Sequence, residues 1–379
     1  MSRPRVLHLG KYYVPERGGI ETVLEALCRG TAATLDSRAL VMHTEPRTVH
    51  EVVDGVPVTR VASFGRVGAV SLTPSLALWL SRASADVVVL HEPNPMALVA
   101  CALVPPDVPL VVWFHSEVVR PRWRYRLFYE PFLNRVLERA ARIVVSAPPL
   151  RDVPALAGHR DKVTVLPFGL DPTGYPVLAE HEARPGQTPT VLFVGRLVAY
   201  KGLDVLLRAM VDVPGSLALV GDGPLRESLQ KLAQELGVAD RVTFLGRVSD
   251  ADRLAWFGRA DVVVLPSVSR QEAFGMVQVE AMLTGRPVVS TSVPTGVPWV
   301  NQHDESGLVV PPGDSAALAS ALRRVCGDSA LRARLGRGGR ARAIRLFTAE
   351  RMCADFTSLC RAVAAAEAVR AQPHPVEAR

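Results

Sequence analysis

Short unbroken apolar runs recur along the chain, and most are followed by a stretch with helical spacing. Val87-Val88-Val89-Leu90 after Asp86, Leu110-Val111-Val112-Trp113 and Val262-Val263-Val264-Leu265 are examples. A strand with no polar alternation is buried on both faces, as in a parallel sheet covered by helices. Arg5–Leu9, 39–42, 143–145 and 163–166 extend the pattern in the first half. Asp54-Gly55, within 52–61, reads as a hairpin turn between two short strands. In the second half the strands are 191–194, 217–220, 242–245, 262–265 and 288–289. Helices are predicted at about 203–210, 225–236, 250–257 and 276–283. The order is that of a doubly wound α/β protein, repeated once.

A chain of 379 residues has room for two such domains. The expected division is 1–171 for the first, 172–189 for a Pro- and Gly-containing linker, and 190–348 for the second. A last helix follows at 349–370, with no strand after it. The tail around Pro373 reads as loose.

The most informative stretch is 269–282, which leads from one buried strand into a helix. Glu272 stands in the loop. Gly275, Met276 and Val277 form the first helical turn, and Glu280 follows on the same helix. First-turn N–H groups lack intrahelical partners, and with the helix dipole they favour an anion. Two carboxylates flanking a phosphate cradle suit a molecule with hydroxyls at both ends and a diphosphate between. The plainer account is an ordinary helix start with two surface glutamates.

A second stretch ends another strand: Gly195-Arg196-Leu197-Val198-Ala199-Tyr200-Lys201-Gly202. Ligands bind at carboxyl ends of strands in such sheets. Arg196 offers a planar fork to phosphate and Lys201 a point charge. Only Lys11, Lys162, Lys201 and Lys231 are lysines in this arginine-rich chain, which makes Lys201 more telling.

Together these segments resemble retaining glycosyltransferases of the GT-B fold, family 4, with their E-x7-E motif. The likeness spans nearly the whole chain. It implies two facing Rossmann-like domains with a cleft between them, the first for the acceptor and the second for a nucleotide sugar. It implies that Glu272 hydrogen-bonds sugar hydroxyls and that Glu280 holds the ribose. Backbone from Phe274 through Gly275 and Met276 to Val277 would face the sugar and diphosphate. Arg196 and Lys201 would contact the phosphates, and Gly195 and Gly221 would be among the donor-binding residues. Gly18-Gly19 matches the family's glycine-rich loop, and His115 a histidine that contacts the transferred sugar. His115, Arg196, Lys201 and Glu272 are thus the expected catalytic set. The final helix would cross back to the first domain. His91-Glu92-Pro93 ends a neighbouring strand, where an acceptor-lining role and a structural one are equally open.

Two segments, 115–120 and 295–302, are similar to bacterial mannosyl- and rhamnosyltransferases of O-antigen or exopolysaccharide assembly. That points to GDP-mannose as donor, with UDP-sugars as the alternative. The expected acceptor is a saccharide or a polyprenyl-diphosphate-linked glycan. A sugar-nucleotide 2-epimerase and a non-catalytic sugar-nucleotide binder are the rivals of another class. No cofactor is expected, since the nucleotide sugar is a substrate.

Asp250-Ala251-Asp252 has the spelling of a metal-binding DxD, but it follows Ser249 and opens a helix. Acidic helix capping accounts for it, and no metal is expected. The five cysteines have no CxxC spacing. Net charge is +7, and arginines concentrate at 120, 122, 124, 126, 135, 139 and 142 among Trp123, Tyr125, Phe128 and Tyr129. An anionic membrane surface is the expected partner of that stretch. Nucleic acid is not, since no nucleic-acid module is present. No apolar run spans a bilayer and no signal-peptide core opens the chain. A cytoplasmic protein, peripheral on the inner face of the plasma membrane, is expected.

Overall fold

The computed structural model describes residues 3–16, 18–67, 70–117, 126–127, 129–177 and 188–370. Compact packing divides the chain into two units. Met1–Ser146, Arg151–Phe168 and Ala349–Arg379 form the first; Ala147–Leu150 and Gly169–Thr348 form the second.

The main sheet of the first unit runs Val163–Val165, Arg142–Val145, Leu110–Phe114, Val87–Glu92, Arg5–Leu9, Asp36–Met42, Val56–Val61 and Val49–Val53, in that spatial order, and Arg66–Val67 pairs separately with Val70–Ser71. All neighbours in the main sheet are parallel except its last pair, Val49–Val53 with Val56–Val61. Asp54 and Gly55 join that hairpin with positive φ, at 49° and 81°. That is the turn matching the right-handed twist of the strands. Strand order reverses between Arg5–Leu9 and Val87–Glu92. The helix Ala349–Arg370 packs on this unit, with Phe356 5.5 Å from the His8 ring and Thr357 hydrogen-bonded to Thr34 at 3.0 Å.

The second unit's sheet runs Val242–Gly246, Ser216–Val220, Thr190–Val194, Val262–Leu265, Val288–Thr291 and Gly307–Val310, all parallel. In chain order this is 3-2-1-4-5-6, the doubly wound arrangement. Val191, Phe193, Val262, Val264 and Val289 are buried against Leu203, Leu206, Leu207 and Leu322. Each such side chain contributes about 1.5–3 kcal/mol on burial. Gly307–Val310 is a strand the sequence reading lacks. It is four residues long and opens on a glycine whose Cβ would stand 1.9 Å from Val288 O.

Short stretches fall differently from the expected division. Residues 147–150 and 169–171 cluster with the second unit. Ala147 lies against Gly296, and Leu170 N donates to Phe347 O at 3.0 Å. The start of the expected linker is also built into this unit, as a turn at Pro172–Gly174 capped by Asp171. Residues 178–187 and the tail around Pro373 lie outside the described residues.

Candidate active site

In the second unit the strand order switches direction between Thr190–Val194 and Val262–Leu265. The loops leaving those two strands are the ones that carry Lys201 and Glu272. A doubly wound sheet binds ligands at such a point, because adjacent loops diverge and open a crevice. The two loops are tied together: Val268 N donates to Tyr200 O at 2.9 Å.

Lys201 Nζ and Glu272 Oε2 meet at 2.5 Å, with side chains only 11% and 10% exposed. Ser267 Oγ donates to the same carboxylate oxygen at 3.1 Å. Burial opposes the Lys201 charge, but the Glu272 carboxylate outweighs it and raises the ammonium above its ordinary value. Lys201 therefore remains a cation. Arg196 is exposed at the start of the same loop.

The loop 272–275 is oriented by its carbonyls. Thr295 Oγ1 donates to Glu272 O at 2.7 Å, and Gly296 N to Ala273 O at 2.8 Å. Gln278 closes the other two, with its side chain on Phe274 O at 2.8 Å and its N–H on Gly275 O at 2.9 Å. The loop's carbonyls are thus engaged, and the first N–H groups of the helix Met276–Leu283 have no intrahelical acceptor. Gly275 caps that helix at φ 75°, where a Cβ would meet Leu265 at 2.4 Å. Gly221 ends the neighbouring strand with φ 126°, and a Cβ there would stand 2.0 Å from Gly195 O. Backbone thus approaches backbone beside Lys201, whose Cε lies 3.7 Å from a Cβ built on Gly195.

Glu280 is held by two residues the sequence reading did not select. Tyr175 O–H donates to Glu280 Oε1 at 3.2 Å, and Arg253 pairs with the same oxygen. Tyr175 lies in the expected linker. Arg253 lies in the helix Asp250–Arg259, in register with Glu280 only once the unit has folded. Residues 250–252 serve that helix: Ser249 Oγ accepts from Asp252 N at 3.1 Å and donates to its carboxylate at 2.7 Å. Asp250 faces Arg253 at 3.3 Å. Ser249 is thus the N-cap of this helix, and the acidic first turn complements the helix dipole.

Gly18, Gly19 and His115 belong to the first unit. Gly18 caps the helix Gly19–Gly30. His115 follows the strand Leu110–Phe114, is 4% exposed, and stacks on Trp113 and Phe168 at 5.7 and 5.3 Å. His91 and Glu92 are buried at the end of the neighbouring strand. Tyr129 O–H donates to Glu92, and burial raises that carboxyl to about 7. Tyr129 thus points inward. Residues 118–125 and 128, which include Arg120, Arg122, Arg124, Trp123, Tyr125 and Phe128, lie outside the described residues. In the helix Glu130–Arg139, Leu133, Val136 and Leu137 are buried while Arg135 and Arg139 are exposed.

Residues 177–342 match the family described as glycosyl transferases group 1, and residues 18–169 a glycosyl transferase 4-like domain. Over 356 residues the chain is 35% identical to D-rhamnosyltransferase WbpZ of Pseudomonas aeruginosa, covering 91% of this chain and 92% of that one. It is 32% identical over 372 residues to the O-antigen chain mannosyltransferase C of Escherichia coli, covering 94% and 97%. Among solved structures it superimposes on a sucrose-phosphate synthase from Thermosynechococcus elongatus with a TM-score of 0.77 at 24% identity, covering 96% and 100%. Anabaena HepE in complex with UDP-glucose gives 0.76 at 20%, covering 95% and 100%. The fold is therefore the one these two-domain enzymes share.

Proposed function

The chain belongs to the group 1 glycosyl transferases, and from that premise we propose that it moves a hexose from GDP-mannose to a lipid-linked or saccharide acceptor in cell-surface polysaccharide synthesis. The observation that carries this is the Lys201–Glu272 pair beside an amide-edged helix start at a topological switch point. The relatives named for rhamnose and mannose transfer support the sugar class.

In this reading Glu272 accepts hydrogen bonds from hexose hydroxyls, and His115 contributes a further contact. Glu280, steadied by Tyr175 and Arg253, takes the ribose. Arg196, Lys201 and the amides of Gly275, Met276 and Val277 hold the diphosphate, with the glycine loops at Gly18, Gly19, Gly195 and Gly221 and the backbone of Phe274 giving close approach. The bond from the anomeric carbon to the leaving phosphate oxygen breaks, and negative charge grows on the diphosphate. Fixed cations and amides stabilise that charge without reorganising. The acceptor oxygen bonds to the same face, so the anomeric configuration is retained, and the leaving phosphate takes its proton. A thermal-shift screen of GDP- and UDP-sugars tests the donor, because a bound ligand raises apparent stability by mass action. GDP-mannose is expected to give the largest shift; a larger one with UDP-glucose would move the assignment to UDP-sugars. Hydrolysis of UDP-GlcNAc without an acceptor would instead indicate an epimerase.

No metal or cofactor takes part. Asp250 and Asp252 are engaged in capping, and Arg196 and Lys201 supply the positive charge. Turnover is expected to persist in excess EDTA. Loss of activity restored by manganese would overturn this.

The arginine excess between Arg120 and Arg142 brings the enzyme to anionic lipid, where a polyprenyl-linked acceptor lies. Each arginine near such a surface gains about 1 kcal/mol, an attraction that salt screens. Among the described residues no helix is long and apolar enough to cross a membrane. Sedimentation with phosphatidylglycerol vesicles is expected, with release at high salt. Replacing Arg120, Arg122, Arg124 and Arg126 with Gln is expected to abolish it while sparing donor affinity. Equal sedimentation of both proteins would refute the membrane role.

A further inference from the structure

Two histidines on adjacent strands of the first unit and a third just past the next strand form a buried line. His8 is in register with Val89, two residues before His91; His91 is in register with Trp113, two residues before His115. Each step therefore moves one strand across and two residues toward the carboxyl end, on one face of the sheet. His8 Nδ1 and His91 Nε2 are 3.1 Å apart, and His91 Nδ1 and His115 Nε2 are 2.9 Å apart. The rings stack at 5.4 and 5.2 Å between centroids.

The protons on this line have few arrangements. Burial pushes His8 and His115 down to about 3, and burial with its two neighbours lowers His91. All three are neutral at pH 7, so each ring carries one N–H. His91 cannot donate at both nitrogens without becoming charged, nor accept at both without losing its only proton. The two hydrogen bonds must therefore run in the same sense. If they run from His115 toward His8, the line ends in a His8 Nε2–H. That nitrogen is buried and has no partner among the described residues. An orphaned buried N–H is rarer than an unfilled acceptor, and leaving it so carries the desolvation cost. The opposite sense leaves a bare nitrogen there.

We infer that the line runs from His8 to His115, so that His115 is held as the Nδ1–H tautomer and offers a hydrogen-bond donor, not a base, to an oxygen of the ligand. His8 and His91 are positioning residues in this arrangement. The oxygen belongs to a hydroxyl-bearing ligand, and its identity as the transferred hexose rests on the function proposed above.

The tautomer is read by long-range 1H–15N correlation on protein labelled with 15N-histidine. Single substitutions assign the nine histidines. In the wild type, Nδ1–H is expected at His115, and an Nε2–H would overturn the inference without any variant. His8→Asp places a carboxyl where Nδ1 now stands, and at pH values where it is ionised the group only accepts. It is expected to reverse the line, giving Nε2–H at His115 and a fall of about tenfold in kcat/KM, the loss of one neutral hydrogen bond. His8→Phe removes the end group without supplying an acceptor and is expected to keep Nδ1–H. A folded His8→Asp protein with an unchanged His115 tautomer would also overturn it. The spectra need no sugar nucleotide, so they judge the relay separately from the donor screen, which judges the function.

Discussion

Arg196→Ala and Lys201→Ala are expected to lower kcat by about 10²–10³, equivalent to about 2.7–4 kcal/mol of transition-state stabilisation. The two should differ in stability. Arg196 is exposed, so its removal leaves the melting temperature close to that of the parent. Lys201 is buried against Glu272, and truncating it leaves a buried carboxylate without its cation, hydrogen-bonded by Ser267. Its melting temperature falls as well. Kinetics are therefore compared below the melting range of both proteins, with saturating donor. If the cations act on charge that develops as the diphosphate leaves, kcat and kcat/KM fall together. A rise in KM alone would mean that they bind ground state and transition state equally. Near-normal kcat in both variants would remove the diphosphate from this loop.

The strands were legible because a parallel sheet buried on both faces leaves a run of apolar residues that needs no partner to be recognised. The Asp54-Gly55 turn was legible for a similar reason, since its conformation is a property of two adjacent residues. So was the role of Ser249 and Asp252, which meet within one helical turn. Gly307–Val310 was not, because its length gives no periodicity and its glycine reports on Val288 O, a distant neighbour. Lys201 and Glu272 were each marked by their local motif, but their pairing depends on the strand order 3-2-1-4-5-6, which no window of sequence contains. Tyr175 and Arg253 carried no local mark at all. They are 105 and 27 residues from Glu280, and only the fold brings them to it. The histidine line needs the register of three strands at once, and a shift of one residue in any of them would turn a ring to the other face.

Glu272→Gln is expected to destabilise the protein by about 3–5 kcal/mol and to lower kcat/KM by more than Lys201→Ala does. Removing one partner of a buried ion pair strands the other charge, and here Lys201 is left as an ammonium with about a tenth of its side chain in water. Without that carboxylate, burial pulls the lysine's pKa down, so the cation needed for the diphosphate is weakened together with the carboxylate needed for the hexose. The double replacement Lys201→Met/Glu272→Leu separates the two consequences. Apolar groups of similar volume often replace a buried pair at no cost in stability, or with a gain. The double variant is therefore expected to melt at or above the parent temperature while remaining inactive. Urea titrations on the three proteins give the stability ranking, and single-turnover rates give the chemistry. Were the pair present to hold the loops together, the double variant would be as unstable as Glu272→Gln. A stable, inactive double variant would mean that the chain keeps a costly buried pair at its switch point for what the two charges do to a ligand.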